Sequence, residues 1–318
     1  MRIGFIGLGN AGAKLAGSAV RNGWDLTVHD LDRAAADPLI AQGAGWAPSP
    51  AALADGADVV ITCLPSPAAS AAVLEGPSGL LETLAPGAIW AEMSTTDAEE
   101  VRRLGAAVAE RGADPADCPV SGGCHRAATG NISIFAGCER RVFERLLPLL
   151  SSLGRRILHT GPLGSASVLK VITNYLATAN LVAVTEALAV AKATGQDLST
   201  AYEAIRISSG TSFVHETESQ VILSGSRQID FTMDLVLKDI GLFQTLAERA
   251  GVPLELNPVS IAIFEDAARR YGARAQSDEI MRRIEEATGL SITAPGFPEI
   301  LVDDEPEEPG AEIVPRRA

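Results

Sequence analysis

The chain has 318 residues, 47% of them apolar, and a formal net charge of −14. It is too long for one hydrophobic core, too apolar for global disorder, and too acidic for a nucleic-acid binder, whose footprint is a basic patch. Four scattered cysteines, Cys63, Cys118, Cys124 and Cys138, have no C-x-x-C spacing, which suits buried thiols in a reducing cytoplasm better than a disulfide framework or a zinc site.

Residues 2–7 (RIGFIG) form a short apolar run that leads into Gly7-Leu8-Gly9-Asn10-Ala11-Gly12; residues 13–22 then carry a helical pattern. A second strand over 26–29 ends at Asp30. A G-x-G-x-x-G between a strand and a helix predicts a dinucleotide-binding turn. Gly7 permits the tight turn, Gly9 lets backbone approach a pyrophosphate, and Gly12 lets helix and strand pack closely. The helix N-terminus offers N–H groups to the phosphates. The candidate cofactor contacts are therefore Gly7, Leu8, Gly9, Asn10, Ala11 and Asp30, the last placed 23 residues after Gly7 to take ribose hydroxyls. Asp30 favours NAD; Arg33 stands close enough to leave NADP open. The apolar start imitates a signal peptide, but its glycines fall where a strand-to-helix turn wants them.

Strands and helices then alternate. Residues 58–65 and 88–94 read as buried strands, and 96–110 as a helix capped by Thr95 or Thr96 with Glu99 and Glu100 in its first turn. The alternation predicts an α/β domain with a doubly wound, mostly parallel sheet. Ligands of such sheets sit beyond the carboxyl ends of the strands, so Leu64, Pro65, Ser94 and Thr95 should border the cofactor. Residues 117–123 (DCPVSGG) end in a hydroxyl and two glycines able to bring bare N–H groups to an anion. A strand over 131–136, a helix over 139–152 and a strand over 156–159 complete the domain.

Residues 161–195 read as one helix of about thirty residues, well above the usual length. Lys170 and Asn174 stand four apart near its start and so share one face. Residues 176–193 are apolar enough to raise a membrane span, but Thr178, Asn180, Thr185, Glu186 and Lys192 interrupt them, which favours a helix buried between domains or subunits. From Gly195 the pattern is helical only, over 199–208, 214–224, 234–250, 259–270 and 279–288. Past Gly289 the chain turns acidic and proline-rich, which predicts an extended or disordered tail. Its apolar Phe297, Ile300, Leu301, Ile313 and Val314 suggest that it lies across a neighbouring subunit. The expected division is 1–163, a dinucleotide-binding domain; 164–194, an interdomain helix; 195–292, an all-α domain; and 293–318, the tail. The four histidines, His29, His125, His159 and His215, have no metal-binding spacing, and His125 alone follows the glycine pair directly.

Four motifs, GFIGLGNAG (4–12), DCPVSGG (117–123), GPLGSASVLKVITN (161–174) and FTMDLVLKD (231–239), together resemble the β-hydroxyacid dehydrogenase family. The resemblance implies a Rossmann domain, a long interdomain helix and an all-α domain that builds the oligomer, a homodimer or homotetramer. It also implies hydride transfer between NAD or NADP and the alcohol carbon of a short hydroxy acid or its semialdehyde. Carried over by position, Lys170 resembles the catalytic lysine and Asn174 its partner amide. Ser121, Gly122 and Gly123 resemble the loop that grips the substrate carboxylate. Lys238 resembles a cofactor contact, Asp239 and Phe231 substrate contacts. Cys124, His125, Arg126 and Gly130-Asn131-Ile132 depart from the family pattern and leave the substrate open.

Alcohol oxidation needs a group to take the hydroxyl proton as hydride leaves. A lysine does this when burial and a neighbouring cation, for which Lys238 is the candidate, depress its pKa. Neither Ser121 nor any histidine has a nucleophilic-triad context. Two other functions fit the same scaffold: imine reduction, disfavoured by Lys170, and a non-catalytic cofactor-binding scaffold, disfavoured by Lys170, Asn174 and Ser121 together.

Overall fold

The computed structural model describes residues 1–316. The chain forms two compact units: Met1–Lys170 with the segment from Asp303 onward, and Val171–Val302.

The first unit carries strands β1 (Arg2–Ile6), β2 (Asp25–His29), β3 (Gly45–Trp46), β4 (Val59–Thr62), β5 (Ile89–Glu92), β6 (Asp114–Asp117), β7 (Val120–Ser121), β8 (Ile132–Gly137), β9 (Gly154–Gly161) and β10 (Ala311–Glu312). Its helices are α1 (Asn10–Arg21), α2 (Asp37–Ile40), α3 (Pro50–Ala54), α4 (Pro67–Glu75), α5 (Ala98–Glu110), α6 (Gly123–Ala128) and α7 (Arg140–Leu153). The sheet order is β10-β9-β8-β6-β5-β4-β1-β2-β3, with β7 paired to β8. The run β3-β2-β1-β4-β5-β6 is all parallel and has the order of a doubly wound dinucleotide-binding sheet; β6 meets β8 antiparallel. Strands covered on both faces are near-continuous apolar runs, and β4 (VVIT) and β5 (IWAE) are buried at every residue, their closing Thr62 and Glu92 included.

Helix α5 begins at Ala98, two residues later than its sequence suggests. Asp97 is the cap, not Thr95 or Thr96, because its carboxylate accepts the N–H groups of Glu99 at 2.7 Å and Glu100 at 3.3 Å. Helix α4 is almost entirely Ala and apolar residues, with no polar face to mark it, and α6 is too short to show a period.

Helix α8 (Ser165–Ala193) leaves the first unit at Lys170. Among the described helices it is the one long and apolar enough to cross a membrane by length and composition. Leu181, Val184, Leu188 and Ala189 are buried in the core of the second unit, as in the core helix of a globular fold. That unit continues with α9 (Leu198–Arg206), α10 (Phe213–Ser224), α11 (Met233–Ala250), α12 (Leu256–Tyr271) and α13 (Met281–Thr288), and its core centres on Ile222, Met233 and Phe264.

The segment after residue 292, expected to be extended or disordered, is extended and makes contacts along its length. Residues 294–300 stay on the helical unit: Ala294 N–H donates to Leu223 O at 2.8 Å, Phe297 packs edge-on against Tyr202, and Ile300 bridges Gln228. From Asp303 the chain runs along the dinucleotide-binding unit. β10 pairs in parallel with β9, and Arg140 makes a two-pronged contact with Glu312 at 2.6 and 2.9 Å. Arg155 holds Glu308 at 2.6 Å and the Pro306 carbonyl at 2.9 Å. Four acids of this segment, Glu305, Glu307, Glu308 and Glu312, each meet an arginine far away in sequence, while residues 304–309 remain exposed.

Candidate functional site

At the end of β1, Gly7 has φ of +95°, and a side chain there would collide with the Cys63 carbonyl at 2.3 Å. A Cβ on Gly12 would stand 2.0 Å from the Gly7 carbonyl, so helix α1 packs directly on the turn. Gly9 differs: apart from its chain neighbours nothing lies within 4 Å of its Cβ position, which leaves bare backbone open beside the α1 N-terminus. This cradle fits a dinucleotide pyrophosphate. Asp30 closes the turn from β2, accepting the Leu8 N–H at 2.6 Å and the Asp32 N–H at 2.9 Å. Asn10 is exposed and Ala11 half-buried at the same helix end.

The loop after β4 is held by a buried acid. Glu92 at the end of β5 is fully enclosed; the Ser94 N–H donates to it at 2.9 Å and the Ser94 hydroxyl donates to it as well. The Ser94 oxygen accepts the Leu64 N–H at 2.7 Å, so the chain Glu92–Ser94–Leu64 fixes the turn that Leu64 and Pro65 make beyond β4. Burial pushes the Glu92 carboxyl above the ordinary range, against the pull of the surrounding hydroxyls. Thr95 stands half-buried next to Ser94, while Pro65 is exposed.

A second buried acid sets the start of α8. Asp117, the last residue of β6, accepts Gly164 N–H at 2.8 Å, Ser167 N–H at 2.6 Å and the Ser167 hydroxyl at 2.8 Å. Burial raises its pKa, and the three donors oppose that rise. One strand thus anchors the helix that carries Lys170 and, through Cys118 and Pro119, leads into Ser121-Gly122-Gly123. Lys170 is only 7% exposed, an unusual place for a lysine. Gly122 and Gly123 have φ of +130° and +85° and lie at the start of α6. Neither Glu92 nor Asp117 is recognisable as an anchor from spacing. An acid inside an otherwise apolar strand is the one signal they give.

On the second unit, Asn174 lies one helical turn beyond Lys170 and donates to Asp239 at 2.5 Å. Asp239 is 1% exposed, and Lys238 Nζ approaches its Oδ1 at 2.8 Å, a charge contact without the alignment of a hydrogen bond. The pair is therefore an internal support for Asn174. Phe231 is half-buried against the helical core, its N–H donating to Gln276 at 3.2 Å.

Three histidines are satisfied structurally: His29 by Ala47 O, His159 by Cys138 O, and His215 by Tyr202 O, each at 2.9 Å. Burial, then Arg126, lowers the pKa of the fourth, His125. Burial pushes the Cys118 thiol well up and that of Cys138 to about 12. Among the described residues no group of three His, Cys, Asp or Glu side chains could hold a metal ion.

The chain belongs to the β-hydroxyacid dehydrogenase family, and its cofactor is NAD(P). The model of the NAD-binding domain of 6-phosphogluconate dehydrogenase matches residues 2–161, and that of the NAD-binding domain of NADP-dependent 3-hydroxyisobutyrate dehydrogenase matches 164–284. A 2-(hydroxymethyl)glutarate dehydrogenase of Eubacterium barkeri is 32% identical over 92% of this chain and 98% of its own length. An NAD-dependent L-serine dehydrogenase of Pseudomonas aeruginosa is 34% identical over 83% and 91%. Among solved structures, a 3-hydroxyisobutyrate dehydrogenase from Salmonella typhimurium superposes with a TM-score of 0.82 at 27% identity, covering 89% of this chain and 99% of that one.

Proposed function

We propose that the protein interconverts a short 3-hydroxy acid and its semialdehyde, with Lys170 as general acid and base. The observation that carries this reading is a lysine 7% exposed, in a helix whose first turn Asp117 pins to the strand leading into the glycine loop. The substrates named for the three relatives, 3-hydroxyisobutyrate, serine and 2-(hydroxymethyl)glutarate, share one unit: a primary alcohol on the carbon next to the one bearing a carboxylate. We infer that this unit is the substrate class here.

In this reading the Gly122 and Gly123 N–H groups and the Ser121 hydroxyl bind the carboxylate and fix the distance to the alcohol carbon. The nicotinamide, when bound, supplies the acceptor for the two-electron hydride. The neutral Lys170 amine takes the hydroxyl proton as the C–H bond breaks, and returns it to the carbonyl oxygen in the reverse direction. Asn174, oriented by Asp239, donates to the same oxygen and stabilises the charge developing there. Gly7, Leu8, Gly9, Asn10, Ala11 and Asp30 hold the dinucleotide, bordered by Leu64, Pro65 and Thr95.

The test is nicotinamide absorbance with the three hydroxy acids and both cofactors. Lys170→Ala should lower turnover on the order of 10²–10⁴-fold with cofactor affinity nearly unchanged. Retained turnover removes Lys170 from the mechanism. The same reading carries self-association, supported by exposed Leu176 and Val190 on α8, and sedimentation that returns a monomer counts against it.

A further inference from the structure

The residues that depart from the family pattern after the glycine pair lie directly against it. A Cβ on Gly122 would come 3.4 Å from Arg126 Cδ and 3.9 Å from Arg126 Cβ. One on Gly123 would meet the His125 ring at 2.7 and 2.9 Å. The positive charge that α6 sets beside the loop is Arg126, because the His125 imidazole is disfavoured as a cation by burial and by Arg126 itself. A guanidinium at an anion-binding loop would attract a second carboxylate.

That guanidinium has a partner from the far end of the chain. Glu305 approaches Arg126 at 3.3 Å, with their side chains 46% and 23% exposed. The chain around Glu305 is itself fastened: Asn131 Nδ2 donates to the Glu305 carbonyl and to Asp303 Oδ2, each at 2.8 Å, and the Thr129 hydroxyl donates to that same Asp303 oxygen. Asp303 and Glu305 thus grip both the end of α6 and the entry to β8.

We propose that residues 303–305 are a specificity strap: Glu305, a positioning residue, holds and neutralises Arg126 beside Gly122-Gly123. The strap biases the loop toward substrates with one carboxylate, against those whose carbon between alcohol and acid bears a side chain ending in a second anionic group. The inference rests on the proposed assignment of this loop to the substrate carboxylate. An ion pair this exposed is worth little in stability, so its removal should change selectivity more than folding.

The test compares the holoenzyme and its Glu305→Gln, Glu305→Asp, Arg126→Gln and doubly substituted variants on 3-hydroxyisobutyrate and 2-(hydroxymethyl)glutarate. Glu305→Gln should raise the kcat/KM ratio of dicarboxylate to monocarboxylate about fivefold, the scale of one such ion pair. Glu305→Asp should restore the original ratio, Arg126→Gln in the double variant should cancel the gain, and high salt should shrink it. A purely structural strap would instead lower the melting temperature and reduce both substrates alike. That result, or an unmoved ratio in an active enzyme, overturns the inference alone. Absence of turnover on either substrate by the unaltered protein overturns the functional assignment and the inference together.

Discussion

Asp117→Asn tests whether the buried cap governs the helix that carries Lys170. The amide keeps one acceptor oxygen, which serves best toward Ser167, where the carboxylate now takes two donors at 2.6 and 2.8 Å. Its NH2 then faces the Gly164 N–H, now 2.8 Å from a carboxylate oxygen, and that buried donor loses its acceptor. One unsatisfied buried N–H costs about 1–3 kcal/mol, and turning two charge-assisted bonds into neutral ones costs roughly 0.5–1 kcal/mol each. Removing a carboxylate that burial disfavours offsets part of this, leaving a net loss of about 1–3 kcal/mol. In a unit of this size that lowers the melting temperature by about 3–10 °C. Because Lys170 follows Ser167 by less than one turn, the role proposed for Lys170 requires kcat to fall while cofactor affinity, assigned above to the α1 turn, holds. Circular dichroism melts and steady-state kinetics on the same preparation read both. An unchanged melting temperature with unchanged kcat refutes the argument that this cap positions the helix.

Gly12→Ala places a methyl 2.0 Å from a backbone carbonyl that cannot swing aside; cofactor titration should show an affinity loss of at least about fivefold, since such overpacking costs roughly 1–3 kcal/mol. Asp30→Ser removes the Leu8 acceptor and, if Asp30 takes the ribose as proposed, the carboxylate that would repel a 2′-phosphate, so the ratio of kcat/KM for NADP over NAD should rise about tenfold, with both values reduced. Burial lifts Glu218 to about 7 and drives the fully buried Asp278 beside it well above the ordinary carboxylate range. An acid raised on folding contributes stability below its unfolded pKa and loses it as pH rises through the folded one. Melting temperature should therefore decline as pH climbs from about 5 to about 8, and Glu218→Gln should flatten that decline.

The parts legible in the sequence are those written locally. The glycine spacing of the α1 turn, the apolar runs of β4 and β5 and the long unbroken α8 each depend on residues within a few positions, and each stands in the structure close to where its pattern puts it. What could not be read depends on distant partners. Asp117 becomes a helix cap only because Gly164 and Ser167 fold back onto it, and Glu92 an anchor only because Ser94 passes its hold to Leu64. The end of the chain misleads for the same reason. Acidic, proline-rich composition signals solvation until Arg126, Arg140 and Arg155 are known to lie along its path. Short elements such as β7 and α6 lack the length to show any period at all.

The pairing of β10 with β9 has a consequence for the order of events during synthesis. Parallel neighbours in a sheet are ordinarily made one crossover apart, yet the whole helical unit is translated between Gly161 and Ala311. While the ribosome works through that stretch, β9 presents an open row of N–H and C=O groups, the kind of edge that invites pairing with another nascent chain. The first unit is thus assembled from two pieces of chain with the helical unit between them. Pairing of Ala311 and Glu312 with Arg156 and Ile157, together with the Arg140–Glu312 clasp, covers that stretch of the edge only once the helical unit has been made.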